Sequence, residues 1–257
     1  MAQAFRLALA QINSTVGDIS GNASKIIEYL ERARDELQAD LVAFPELAIT
    51  GYPPEDLLFK SSFLRDNVAA MERVVAASRG IAVVVGYAQI GEGIANAAAL
   101  GYDGKLIDSY QKIYLPNYGV FDEDRYFEPG TTCPVYVING ALVGVGICED
   151  IWYPEGPIVT QRQAGAQLVV NINASPFHAG KAVEREDMIA ARAKDNGLFV
   201  AYLNCVGGQD ELVFDGASIV HNSRGTARQM PVPGNGFSVD LTGESCPHRL
   251  PGRARPP

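Results

Sequence analysis

Two dipeptides restrict the fold more than any other feature of the chain. Asp103-Gly104 stands between apolar segments at 94–102 and 105–111, and Asn139-Gly140 stands between segments at 135–138 and 141–147. Each is a pair selected by two-residue hairpin turns, because both residues accept positive φ. Around these hairpins, strand and helix patterns alternate. Residues 5–11 alternate apolar and polar, while Ile26, Ile27, Leu30, Ala33 and Leu37 make one stripe of a helix over 22–38. A buried strand at 40–44 stops at Pro45, which has no backbone donor. A helix over 61–79 and a strand over 81–89 precede the first hairpin. Residues 157–164 and 182–196 read as helices after the second, with strands at 167–172, 198–204 and 217–221 between and beyond them. Residues 206–210, Val-Gly-Gly-Gln-Asp, read as a turn before a strand. Hairpins mixed with crossover strands and helices predict an α/β protein with layered sheets.

Composition then excludes several functions. The formal net charge of -9 repels polyanions, and no basic stripe offsets it, so nucleic acid is not an expected partner. The longest apolar run, 81–85, is far too short to cross a bilayer, and the N-terminal residues read as a strand rather than a signal peptide. Cys133, Cys148, Cys205 and Cys246 are too widely spaced for CxxC metal pairs, and three histidines complete no obvious zinc set. A reducing cytoplasm is the expected compartment, where a lone cysteine at a tight turn is a candidate nucleophile.

Three positions share a location. Glu46, Lys112 and Cys148 each follow the carboxyl end of an expected strand, where α/β folds commonly place ligands. Cys148 ends Val-Gly-Ile-Cys, a strand running into a turn, with Gly146 permitting close backbone packing. A thiol becomes a nucleophile only with a base or a positive neighbour. Glu46, flanked by apolar groups, suits general acid and base work, and Lys112, also in apolar and aromatic surroundings, suits oxyanion stabilisation. Taken singly, each has a plainer reading, as an inert small hydrophobe, a solvated carboxylate and a snorkelling lysine. Cys133 and Cys205 have no comparable turn and acid and read as structural.

Three blocks, FPELAITGY, SYQKIYLPNYGVFDEDRYFEPG and VGICEDIWYPEG, resemble in order and separation the signatures of the nitrilase superfamily of carbon-nitrogen hydrolases. Further stretches, YPPEDLL, LPNYGVFDE, NASPFHAGK and NCVGGQDELVFDGAS, are similar to the glutaminase domains of glutamine-dependent NAD synthases. The resemblance spans roughly residues 5–228. It implies a four-layer α-β-β-α sandwich, with Glu46 as general base, Lys112 as oxyanion stabiliser, Cys148 as nucleophile and Glu123 as a further carboxylate orienting lysine and substrate. It implies L-glutamine as substrate, with Glu149 receiving the α-ammonium and Ser175 donating to the α-carboxylate. Tyr52, Tyr118, Phe121 and Trp152 are implied as pocket walls. Ammonia would pass to an NAD synthetase domain or chain, with ATP and Mg belonging there and no cofactor in this chain, and a homo-oligomer is expected.

Residues 1–228 are accordingly expected to be one carbon-nitrogen hydrolase domain. Residues 229–257 hold six of the fifteen prolines and read as an irregular tail, truncated or non-native, with the synthetase domain absent. Three rivals stand beside this reading: a papain-like pairing of Cys148 with His178 or His221, a binding module without chemistry, and a free-standing amidase on another small amide.

Overall fold

In the computed structural model, which describes residues 5–229, the apolar run at 81–85 divides by parity. Ile81, Val83 and Val85 pack toward helices, while Ala82 and Val84 pack toward a second sheet. A strand buried on both faces reads as a continuous apolar run for this reason.

The elements of the first half are β1 (Leu7–Leu9), α1 (Ile19–Asp35), β2 (Leu41–Ala43), α2 (Ser61–Ala77), β3 (Ala82–Ile90), β4 (Ile94–Tyr102) and β5 (Lys105–Gln111). Their strands form one sheet in the order β1-β2-β3-β4-β5, with β1, β2 and β3 parallel and the last two joined antiparallel. The second half comprises β6 (Val135–Ile138), β7 (Ala141–Ile147), α3 (Pro157–Gln163), β8 (Leu168–Asn173), α4 (Lys181–Asn196), β9 (Phe199–Asn204), β10 (Val206–Gln209), β11 (Leu212–Asp215), β12 (Ile219–His221) and β13 (Ala227–Gln229). Its sheet has the order β13-β12-β9-β8-β7-β6, and β10 and β11 form a separate hairpin.

Three apolar clusters separate four layers. Ala23, Ile26, Leu30 and Ala33 of α1, with Ala70, Met71, Val74 and Val75 of α2, cover the outer face of the first sheet. Ile158 of α3, with Ile189 and Ala193 of α4, packs against Val169, Val200 and Tyr202 on the outer face of the second. Between the sheets, Leu7, Leu9, Leu41, Val84, Val145, Val170 and Leu203 meet without any residue of the four α-helices. This is the α-β-β-α sandwich, and Cys148 lies in its innermost cluster.

Both hairpins form at the expected turns, with positive φ at Asp103, Gly104, Asn139 and Gly140. Helix α1 starts at Ile19, three residues before the expected start at 22, because the Asp18 carboxylate accepts from the Gly21 amide and caps it, and it ends at Asp35, three residues before the expected end at Gln38, which has a φ of +52°. Residues 206–210 differ from expectation. Instead of a turn, 206–209 are a strand paired with β11, since pairing of Gly207 with Phe214 and of Gly208 with Val213 outweighs the weak strand preference of two glycines. The last strand, β13, ends at Gln229 against β12, so the expected tail lies outside the described residues apart from that first position. Cys246 lies outside them as well. No helix among the described residues is long and apolar enough to cross a membrane.

The chain direction places the site. Two antiparallel steps make β5 run parallel to β2, so Glu46 and Lys112 emerge at one end of the first sheet. Cys148 emerges from β7, next to the end of its parallel neighbour β8. Under Glu46, the backbone of β3 approaches so closely that a Cβ at Gly86 would stand 2.3 Å from Leu47 N and 2.4 Å from Pro45 O. Gly86→Ala should therefore move the Glu46 loop. The expected cost is about 1–3 kcal/mol in urea unfolding, with loss of most activity in the same preparation.

Candidate active site

Glu46, Lys112 and Glu123 form one buried ionic cluster. Lys112 Nζ donates to Glu46 Oε1 at 2.7 Å and lies 2.8 Å from the Glu123 carboxylate, and the lysine has no exposed surface. Three separate chain segments meet here. Glu46 follows β2, Lys112 follows β5, and Glu123 sits in a short helical turn, Glu123–Arg125, within the loop after Lys112. Asn96 of β4 donates to Glu46 Oε1 at 2.8 Å, and the Ala174 amide donates to Oε2 at 2.9 Å. Glu46 is thus held by donors from both sheets, with its carboxylate fixed in orientation. Tyr52 donates to Glu123 at 3.3 Å.

Electrostatics follow from burial and proximity. Burial pulls the Lys112 ammonium down, yet Glu123 and Glu46 outweigh it, and its pKa lies well above the ordinary lysine range. Burial pushes Glu123 up to about 7 against the pull of Lys112, and Glu46 adds to the rise. The Cys148 thiol is likewise pushed well up, by burial first and by Glu46 next, with Lys112 opposing. The resting group is therefore a protonated thiol, and any attack requires a base at the moment of bond formation.

Cys148 begins a short helical turn, Cys148–Ile151, with φ of +44°, which an L-residue seldom adopts. A Cβ at Gly146 would stand 2.4 Å from Asn171 Oδ1, so the expected close approach before the cysteine is present. Asn171 also donates to the Cys148 carbonyl at 3.3 Å. Cys133 and Cys205 carry free thiols too, and Cys205 is buried. His178 is exposed and bonded to the Ala179 carbonyl, and His221 bonds the Gly225 carbonyl. Glu46, Lys112, Glu123 and Glu149 all act on Cys148, and the hydrogen bond of each histidine ring is to its own neighbouring main chain, so the papain-like pairing gains no support.

The expected substrate residues divide into two groups. Glu149 is buried beside the nucleophile and accepts from Tyr118 at 3.0 and 3.1 Å, and Phe121 packs edge-on against Tyr118 at 5.6 Å. Ser175 follows Ala174 directly, and the Asn204 side chain holds it by accepting from its amide and donating to its carbonyl. Tyr52, Phe121 and Glu123 line a cleft of about 250 Å³ together with Pro53, Val120 and Asp122. Trp152 stands apart. Its ring packs with the α3 and α4 cluster under Lys181 Nζ at 3.9 Å, so its contacts are on the helix side of the turn. Among the described residues, no group of three His, Cys, Asp or Glu is placed to hold a metal ion.

Sequence reasoning passed over Asn96 and Asp150. Asn96 had a visible signal, a lone amide in the alanine run of β4. Asp150 accepts four hydrogen bonds, and burial still raises its pKa to about 6.

The family model for carbon-nitrogen hydrolases matches residues 6–229, which is most of the chain. This chain is a carbon-nitrogen hydrolase. Curated relatives bear the name glutamine-dependent NAD(+) synthetase. That of Xanthomonas campestris pv. campestris is 49% identical over 229 residues, covering 88% of this chain and 41% of the relative. That of Thermotoga maritima is 48% identical, covering 86% and 39%. The carbon-nitrogen hydrolase chain thus spans about two fifths of the length of these relatives. Among solved structures, the Acinetobacter baumannii glutamine-dependent NAD+ synthetase bound to ADP superposes with a TM-score of 0.86 at 36% identity, covering 93% of this chain and 45% of that one. An amidase from Nesterenkonia sp. AN1, carrying the acetamide moiety of fluoroacetamide on its active-site cysteine, gives 0.83 at 31% identity and covers 92% and 89%.

Proposed function

We propose that this domain hydrolyses the side-chain amide of L-glutamine through a thioester on Cys148 and supplies the ammonia to an NAD synthetase partner. The observation that carries the reading is the buried Glu46–Lys112–Glu123 cluster beside a cysteine presented at positive φ. In the reaction, Glu46 accepts the thiol proton as Sγ attacks the amide carbon. Lys112 and the amide N–H of Glu149 hold the oxyanion, worth about 3–4 kcal/mol per donor in comparable sites. Collapse breaks the C–N bond, and ammonia leaves with the proton from Glu46. Water, deprotonated by the same carboxylate, then attacks the thioester; the C–S bond breaks, Sγ recovers the proton from Glu46, and glutamate is released.

Glu123 gives Lys112 a second carboxylate partner, which keeps the amine aimed while Glu46 changes protonation. Glu149, one residue from the nucleophile and hydrogen-bonded by Tyr118, suits the α-ammonium of an amino acid. Glutamine as substrate and a synthetase as recipient are supported by the names of the curated relatives. ATP and Mg chemistry would belong to the part of those relatives that this chain does not match.

A second reading, a free-standing amidase for simple amides, draws on the Nesterenkonia structure, nine tenths of which this chain covers. A substrate panel separates the two. Ammonia release from L-glutamine should exceed that from butyramide by at least about 10²-fold, because the simple amide brings no ammonium to the buried Glu149 carboxylate. Equal or reversed rates would favour the simple amidase.

A further inference from the structure

Asp150, two residues after Cys148, is buried, and the reaction above gives it no task. Its Oδ1 accepts from the amides of Ile113 at 3.0 Å and Tyr114 at 2.9 Å. Its Oδ2 accepts from the Ile147 amide at 3.0 Å and from the Tyr110 hydroxyl at 2.7 Å. An ionised carboxylate offers about four acceptor positions, so four donors use its capacity in full.

The position of those donors matters more than their number. Tyr110 and Ile113 bracket Lys112 on the first sheet, whereas Ile147 immediately precedes Cys148 on the second. A single side chain thereby ties the exit of β5 to the exit of β7 across the sheet interface. Local turn formation explains only the Ile147 bond, three residues away; the bonds to 110, 113 and 114 span 36 to 40 residues. An error of 1 Å in such a placement can cost about 10²-fold in rate.

We propose that Asp150 is a positioning residue, which fixes the Lys112 amine relative to the Cys148 thiol by holding Tyr110, Ile113, Tyr114 and Ile147 on one carboxylate. The proposal rests on the roles given above to Lys112 and Cys148. Asparagine at this position keeps one oxygen acceptor and turns donor hydrogens toward the other pair, so only one side of the tie survives.

Asp150→Asn and Tyr110→Phe test this, with Leu30→Ala in α1 as a destabilised control remote from the site. Glutamine turnover and the rate of Cys148 labelling by 6-diazo-5-oxo-L-norleucine are read beside thermal melting. Asp150→Asn should lower kcat and the labelling rate by about 10- to 100-fold with KM within about threefold. Tyr110→Phe, which removes one bond of four, should lose severalfold in kcat at unchanged KM, and the double variant should lose less than the product of the two. The control should melt earlier and keep its kcat below the transition. Lower melting of Asp150→Asn with kcat and labelling as in the wild type would overturn the proposal and leave Asp150 a support of the fold. If Asp150→Asn does not fold, Tyr110→Phe decides alone, and unchanged kcat there overturns it. A wild-type protein that neither turns over glutamine nor labels would remove the catalytic reading itself, and this inference with it.

Discussion

Replacing Cys148 with alanine should lower amide hydrolysis by about 10⁴-fold or more while leaving the protein folded. The reason for expecting so large an effect is that Cys148 feels Glu46, Lys112, Glu123 and Glu149 together, whereas Cys205 shares with it the influence of Glu46. Cys205 is buried where burial raises its thiol, and Cys133 lies toward Asp150 and Thr160. Alanine keeps the Cβ and fits the same φ of +44° at a cost similar to that of cysteine, so urea unfolding should change by no more than about 1 kcal/mol. Cys205→Ala should retain turnover. Activity surviving in Cys148→Ala and lost in Cys205→Ala would reverse the assignment. The raised Cys148 thiol adds a kinetic signature: iodoacetamide, which needs a preformed thiolate, should react slowly at neutral pH.

The second large effect is expected at Lys112. Lys112→Met removes the cation from between two carboxylates at 2.7 and 2.8 Å, leaving Glu46 and Glu123 buried together without a counter-charge. Removing one partner of a buried ion pair typically costs about 3–5 kcal/mol, and Glu123, its pKa already raised to about 7, takes a proton once the cation that lowered it is gone. The variant should therefore lose about that stability in urea, along with its turnover. Adding Glu123→Gln should return part of the stability by removing one of the two carboxylates, and none of the activity. A Lys112→Met protein as stable as the wild type would show that the lysine does not hold this cluster together.

Much of the fold was legible because its signals are local. Asp103-Gly104 and Asn139-Gly140 announce their turns within four residues, and Pro45 announces the end of β2. The stripe of α1 follows from spacing, but both ends were misplaced: Asp18 supplies a cap that periodicity does not register, and the helix stops at Asp35, before Leu37 of the stripe. Glu46, Lys112 and Cys148 were visible as residues following strand ends, while their meeting depended on the resemblance to nitrilase blocks. The sheet geometry now accounts for it through the parallel directions of β2 and β5 and the joining of two sheets.

What was not legible is non-local. Asn96 reaches Glu46 across 50 residues, and Asp150 reaches Ile113 across 37. Nothing in the immediate neighbourhood of either residue specifies those partners. Gly86 looks like an interruption in an apolar strand until the Pro45–Leu47 backbone is laid against it. The strand at 206–209 was hidden by glycine composition and emerges only with its partner β11. Trp152, implied as a pocket wall, carries a helix-side contact with Lys181 that no sequence spacing foretells.

The most direct test of the account is reaction of the protein with 6-diazo-5-oxo-L-norleucine, a glutamine mimic that alkylates the nucleophile of a glutamine site. Intact mass should rise by one adduct, peptide mapping should place it on Cys148, and excess L-glutamine should slow the reaction. A folded protein that forms no adduct, or one whose adduct maps to Cys133 or Cys205, would contradict the claim that Cys148 is the nucleophile of a glutamine amidohydrolase.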